Sequence, residues 1–478
     1  MTTPNTIRTS QLVRWHRALL WLGGITLLLF ALTGVTHPIM SWTGPQAVTM
    51  RPPILSLSEA ELHQAMQRLQ QANLPAQSLV KLVPYQQQVL LQLTSDLQSP
   101  RQYLSLNDED SAISDQQMAI WLATHYSGLD ETQFRSSRLQ TEFDSAYPSV
   151  NRLLPVWQVD FDSGLSLYLH TETLSLAGIT NRYKTNLQAL FRQFHSWQWL
   201  DGVPMIKALV MTLLLGSALL LVLTGGWLLL RLPFKAKRRG LRRWHYLLSW
   251  GLLLPVTLYL LTGIYHFAYK YVQPDTLGLT ASNAQPLPEH WQLPAGVLPT
   301  DAALNSASLV QGPASHWYWR LSLHNATQQA DRHSRFAGQA SERGALFIPV
   351  LPDSPALDDA SYAQLLAERF IGLPPEAISE QQLVQRFGPD YDFRNKRLPV
   401  WQLDYAKGRI FVDSASGQLV EQQSRSSRYE RYSFSFVHKW NILQPWLGRD
   451  GRDRVVVGMM ALVLLLAGMG FAMRLRRR

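Results

Sequence analysis

The sequence predicts a membrane α-helical protein in which four transmembrane helices carry two α+β outer domains, the whole arising from an internal duplication. Three observations lead there: four long stretches almost free of charge, basic residues concentrated in three short segments, and a repeat at a fixed offset.

The charge-poor stretches are residues 18–42, 206–230, 246–269 and 455–473. Each is close to the ~20 residues a helix needs to cross a bilayer. The first follows Arg8, Arg14 and Arg17 and resembles a signal peptide, but it is long, lacks a small-residue cleavage site and recurs later in the chain, so a retained anchor is expected. Pro255 in the third predicts a kink, tolerable where neighbours satisfy the freed carbonyl.

Positive charge gives the orientation. Arg8, Arg14 and Arg17 precede the first span. Arg231, Lys235, Lys237, Arg238, Arg239, Arg242 and Arg243 separate the second from the third, and Arg474, Arg476, Arg477 and Arg478 close the chain. Setting these 14 aside leaves 30 basic against 34 acidic residues, so the basic excess reports topology and not nucleic-acid binding. Both termini are expected in the cytoplasm, with two large segments facing outward. The absence of cysteine excludes disulfides, iron–sulfur clusters, thiolate zinc and covalently attached haem.

Leu154-Pro155-Val156-Trp157-Gln158 with Asp160 returns as Leu398-Pro399-Val400-Trp401-Gln402 with Asp404, 244 residues later. Arg14-Trp15-His16 matches Arg243-Trp244-His245, and Thr33-Gly34-Val35 with His37 matches Thr262-Gly263-Ile264 with His266. The organisation read from this is 1–43 tail and first span, 44–190 first outer domain, 191–231 membrane-proximal segment and second span, 232–243 basic loop, 244–270 third span, 271–430 second outer domain, and 431–478 membrane-proximal segment, fourth span and basic tail. Within the outer domains, helices are expected at 58–72, opening with a capping box of Ser58 and Glu61, and at 116–126 and 362–370. Strands are expected near Val80, Val89 and Tyr103, and at 156–161, 165–170, 400–405 and 409–413, while 275–316 and 326–345 have loop composition.

The candidate chemistry lies in the 13 histidines. Three pairs correspond between the halves: His16 with His245, His37 with His266, and His195 with His438. All six sit at membrane boundaries. The other seven (His63, His125, His170, His290, His316, His324, His333) have no counterpart. His16 and His37 stand 21 residues apart, about 31 Å on a helix and broadly on one side, which puts one near each face. A lone histidine beside tryptophan is an ordinary interfacial anchor, but three repeated pairs call for a ligand role. Inward imidazoles on a four-helix bundle suit bis-histidine haem, two haems with one near each membrane surface, better than a compact zinc or copper site. Among the 16 tryptophans, Trp42, Trp197, Trp199, Trp440 and Trp446 read as an interfacial belt.

The alternation of spans with the Leu-Pro-Val-Trp-Gln-x-Asp strands and with Asp413-x-x-x-Gly417-x-Leu419-Val420 resembles the PepSY-associated transmembrane family, which includes inner-membrane ferric-siderophore reductases. The resemblance implies a bacterial inner-membrane location, periplasmic PepSY modules, non-covalent b-type haem held by His16, His37, His195, His245, His266 and His438, and one-electron reduction of iron(III) chelates. Relatives with a cytoplasmic flavodoxin-like domain differ from this chain, whose longest inward segment is a short loop. An external donor is therefore expected, whether reduced flavin, flavoprotein or quinol, with a ferric siderophore as the periplasmic partner. The alternative is a PepSY-type binding or regulatory protein without redox activity. A transporter is disfavoured, since the four stretches contain no Asp or Glu.

Overall fold

A computed structural model of the chain describes residues 9–71, 79–96, 98–107, 113–232, 240–272, 279–280, 303–325 and 342–476, with isolated residues between 291 and 298. Arg8, most of the basic loop, Arg477, Arg478, His290 and His333 lie outside them. The chain divides into a helical unit (Met1–Gly44, Tyr183–Asp275, Tyr429–Arg478) and a β-rich unit (Pro45–Arg182, Thr276–Arg428).

In the helical unit, four helices are long and apolar enough to cross a membrane: Thr9–Thr43, Pro204–Arg231, Leu241–Lys270 and Asn441–Leu475. They bury a strip of apolar side chains that includes Ala31, Met211, Ala218, Leu252, Val256 and Val463, while Leu213, Leu230 and Leu254 point outward. That inversion suits an apolar solvent, where small residues at helix contacts let backbones approach. Gly23 is one such contact: a Cβ there would stand 2.5 Å from the Ser217 carbonyl oxygen.

Two expectations change here. The first span is not one regular α-helix, because a π-helical turn, Leu20–Gly24, separates Thr9–Leu19 from Ile25–Gly34, and Thr36–Thr43 follows as a separate piece. The wider turn alters the rotation per residue, so regular-helix arithmetic does not fix the relative directions of His16 and His37. The third span is a single helix, Leu241–Val272, with Pro255 inside it. The fourth begins earlier than expected: a short turn from Gln444 ends at Gly448, whose backbone is non-helical at φ 65°, and the helix that follows it to Leu475 carries Arg449, Asp450, Arg452, Asp453 and Arg454 in its first turns.

The β-rich unit holds three antiparallel sheets among its described residues. The first half supplies β1 (Leu55–Ser56), β2 (Leu79–Tyr85), β3 (Gln88–Thr94) and β4 (Gln102–Ser105), followed by β5 (Phe134–Gln140), β6 (Val156–Phe161), β7 (Leu165–His170) and β8 (Ser175–Asn181). The second half supplies β9 (Leu279–Thr280), β10 (Ala303–Gln311), β11 (Trp317–His324) and β12 (Glu342–Pro349), then β13 (Ile378–Val384), β14 (Val400–Tyr405), β15 (Gly408–Asp413) and β16 (Gln418–Ser424). Sheets β5-β6-β7-β8 and β13-β14-β15-β16-β9 share one order and are covered by helices Asp115–Ser127 and Asp359–Ile371 respectively. The third sheet, β12-β11-β10-β2-β3-β4, takes strands from both halves, joined where Leu82 pairs with Ala307. The two outer segments thus form one compact unit. The helix Glu59–Gln71 packs on this shared sheet, and its capping box is present, with the Ser58 amide donating to Glu61 at 2.8 Å.

The loop expected across 275–316 is a strand at 303–311, and that expected to 345 gives way to β12 at Glu342. β10 is buried between β11 and β2, and its small residues, Ala303, Ser306, Ala307 and Ser308, give a central strand the composition of a loop.

The repeated motif has a structural task. Both Leu154-Pro155 and Leu398-Pro399 are cis. Trp157 donates to Asp115 at 2.7 Å and Trp401 to Asp359 at 2.8 Å, tying β6 and β14 to the helices above them. The Tyr147 and Tyr391 hydroxyls donate to the Leu153 and Arg397 carbonyls, each at 2.9 Å.

Candidate functional site

All six paired histidines lie in the helical unit, and each is held by packing between spans. His16 sits on the opening helix of the first span and reaches the second, where its Nδ1 lies 3.1 Å from the Leu221 carbonyl and 3.2 Å from Thr224 Oγ1. His195 and His438 follow short helices that precede spans two and four. His195 Nδ1 meets Thr33 Oγ1 at 3.1 Å and His438 Nδ1 meets Thr262 Oγ1 at 3.2 Å.

These contacts bear on the tautomer. A threonine hydroxyl has one proton, and each of these hydroxyls has a carbonyl of its own helix to give it to: Leu220 O at 2.8 Å from Thr224, Leu29 O at 2.7 Å from Thr33, Leu258 O at 2.6 Å from Thr262. A hydroxyl so engaged accepts from the imidazole, and the Leu221 carbonyl beside His16 can only accept. The arrangement favours a proton on Nδ1 of His16, His195 and His438 and a lone pair on Nε2. That is the ring state a metal ligand needs, with the second nitrogen oriented by a hydrogen bond.

A glycine follows each threonine and makes room for the ring. A Cβ on Gly225 would stand 3.0 Å from His16 Cε1, one on Gly263 3.4 Å from His438 Cε1, and one on Gly34 3.5 Å from His195 Cε1. Phe191 stacks on His195 at 4.6 Å and Phe434 on His438 at 4.9 Å.

The six fall into two groups. His16 and His245 lie within electrostatic reach of each other and line one cavity of about 280 Å³, together with Arg17, Arg242, Arg474 and Ala467. His245 makes no ring-nitrogen hydrogen bond among the described residues, and the position matching Thr224 in the fourth span is Ala467. The second group is His37, His195, His266 and His438: His438 is within reach of His195 and His266, and His37 of His195. His266 stacks on Phe434 at 3.8 Å and pairs through Nδ1 with Glu430, whereas the first half has Leu187 at the position of Glu430. His37 packs against Phe191 and faces Lys439, Arg449 and Arg452.

A scan of the chain against protein-family models gives no match. A search of curated proteins gives none either.

The site is thus judged on its own chemistry. Among the described residues no three His, Asp or Glu side chains converge as a small ion would require. What is present is imidazoles in ligand tautomers, glycines cleared beside them, and a largely apolar cavity rimmed by arginines. This donor set fits a planar, anionic, iron-bearing macrocycle, with His16 and His245 at one end and the other four at the opposite end.

Sequence reading found the histidines but not Thr224-Gly225, Glu430 or Tyr259, whose roles depend on partners more than 160 positions away. The tryptophans divide. Trp199 and Trp446 are exposed as a belt requires, but the Nε1 atoms of Trp197 and Trp440 are buried. Of the histidines without counterparts, His125 bonds Arg51 O at 2.9 Å, His170 bonds Thr173 at 2.7 Å and His324 bonds Asn305 at 2.8 Å, all within the β-rich unit.

Proposed function

We propose that this chain is a haem-binding reductase of a bacterial inner membrane, which passes electrons from the cytoplasmic side to an iron(III) chelate of the ferric-siderophore type in the periplasm. The single observation that carries the reading is that His16, His195 and His438 each set Nδ1 against a threonine hydroxyl, an arrangement that leaves Nε2 for iron. His16 and His245 would hold one b-type haem, and two of His37, His195, His266 and His438 the other. Bound there, haem supplies a one-electron iron(III)/iron(II) couple at each end.

The chain's own residues do the rest. Threonine and glycine fix each ring, and Arg17, Arg242 and Arg474 offer positive charge beside the first cavity, where an anionic donor would also be drawn. The basic segments orient this end toward the cytoplasm. The β-rich unit, read as two duplicated PepSY modules, faces the periplasm and offers the chelate a surface. Iron(III) bound by hard oxygen ligands is released once reduced, so the protein need only deliver an electron. A PepSY protein with a purely binding role would have no use for oriented imidazoles at both ends of its spans.

The purified protein is expected to show a Soret band and, on dithionite reduction, the sharp α-band of low-spin six-coordinate haem. Replacing His16 or His245 by Ala should remove one haem, or make it high-spin, and spare the other. A colourless preparation from haem-replete cells overturns the reading.

A further inference from the structure

The second histidine group is bordered by donors that have no acceptor. The ring nitrogens of Trp197 and Trp440, the Tyr259 hydroxyl and the Arg452 Nε are all buried and make no hydrogen bond among the described residues. Three of them are neighbours: the Tyr259 ring lies 6.0 Å from the Trp440 ring and 5.4 Å from His438, and within electrostatic reach of Arg452. An unsatisfied donor in an apolar setting is costly to keep. Three gather beside His438, and the fourth, Trp197, stands two residues after His195.

Backbone geometry adds to this. Trp197 and Trp440 hold matching positions two residues after His195 and His438, and both adopt left-handed conformations, at φ 51° and 55°. A bulky residue there is strained, and Gly or Asn would be favoured by the backbone. The indoles are kept against local preference in both halves.

Charge is present as well. Arg452 faces Asp453 at 3.2 Å and donates to the Lys439 carbonyl at 3.1 Å, and Arg449 approaches Asp453 at 3.9 Å. Tyr259 sharpens the point, since the equivalent residue in the first half is Phe30, which packs on His195 at 5.2 Å as Tyr259 does on His438. The hydroxyl is not needed for that packing.

We propose that Tyr259, Trp440 and Arg452, with Trp197 on the His195 side, form a receptor for carboxylate beside the second histidine group. The inference rests on the haem reading. The carboxylate belongs either to the bound cofactor or to the docked chelate, and both would be recognised by the same donors.

The test uses the full-length, haem-loaded protein with Tyr259→Phe, Trp440→Phe, Trp197→Phe and Arg452→Gln. Tyr259→Phe removes one hydroxyl and restores the residue used in the first half, so folding is preserved. Two readouts are taken: the rate of haem transfer to excess apomyoglobin, followed in the Soret region, and the KM for iron(III) citrate. If the cofactor supplies the carboxylate, transfer of one of the two haems should quicken roughly fivefold per lost hydrogen bond, and more for Arg452→Gln, with the His16/His245 haem unaffected. If the chelate supplies it, KM should rise by a similar factor while haem retention holds. Low-spin protein with both quantities unchanged in all four variants overturns the receptor while leaving the haem reading intact. Absence of haem from the wild type overturns both.

Discussion

A threonine that gives its only proton to its own helix can only accept from anything else, and three threonines so placed favour an Nδ1 proton on three histidines here. Replacing Thr33 or Thr262 by Val keeps the shape and removes the acceptor, at a cost of about 1 kcal/mol each. On the proposal that these rings hold haem, the cofactor should stay bound through Nε2 while its midpoint potential shifts, read by spectroelectrochemical titration. No change in either variant would show that the hydroxyls do not orient the ligands. The histidines were legible in the sequence because the two halves keep them at matching positions. Their partners were not, because Thr224 lies 208 positions from His16 and only folding brings them to 3.2 Å. Glu430 stayed invisible for another reason: it has no counterpart in the first half, so comparing the halves passes over it.

At the scale of elements, the reading was good wherever a strand or helix showed its own period. Strands β6, β7 and β14 fall on the residues expected of them, as does the capped helix after Ser58. It failed at β10, whose small residues fit a central position that only the assembled sheet reveals. The elements meet in a buried polar network. Glu172, after β7, pairs with Lys81 of β2 at 2.5 Å and with Arg397, before β14, at 3.3 Å. Burial would raise its carboxyl, but Lys81 and Arg397 together outweigh that and hold it well below the usual carboxylate range. Burial also pushes His170 well below its ordinary value, only partly offset by Glu172. Both shifts are depressions, so both contributions to stability are complete above the unfolded values and fade as pH falls. The β-rich unit should therefore soften as pH drops below about 6.5 and further below about 4.5, measured as a falling thermal midpoint. Glu172→Gln strands the Lys81 charge in the interior, while Arg397 keeps Asp413 at 2.9 Å, and should cost about 3 kcal/mol at neutral pH while flattening the lower part of that profile. An unchanged midpoint at neutral pH would mean the network is not what joins the halves.

Across the whole molecule, the two histidine groups at opposite ends of the spans predict directional chemistry. In proteoliposomes of one orientation, reductant at the His16/His245 side should reduce an iron(III) siderophore held at the other, detected with an iron(II)-specific dye. The rate should collapse in His16→Ala or His245→Ala. Equal rates in those variants, or reduction only when reductant and chelate share a side, would reject transfer across the membrane even with haem present. Segment lengths and basic flanks made the spans legible from sequence, but the sharing of one sheet by both halves was not, since no local pattern announces a partner more than two hundred residues away. That shared sheet sets an order of assembly. When β2 emerges, the strand it pairs with has not been synthesised, and two membrane spans must be inserted before β10 can arrive at Leu82. Until then β2 is an open edge on an unfinished sheet, competent to pair with a stranger. A nascent chain stalled after the second span should be the form most in need of a chaperone, and the β-rich unit should fold only once, late, when its second half has been made.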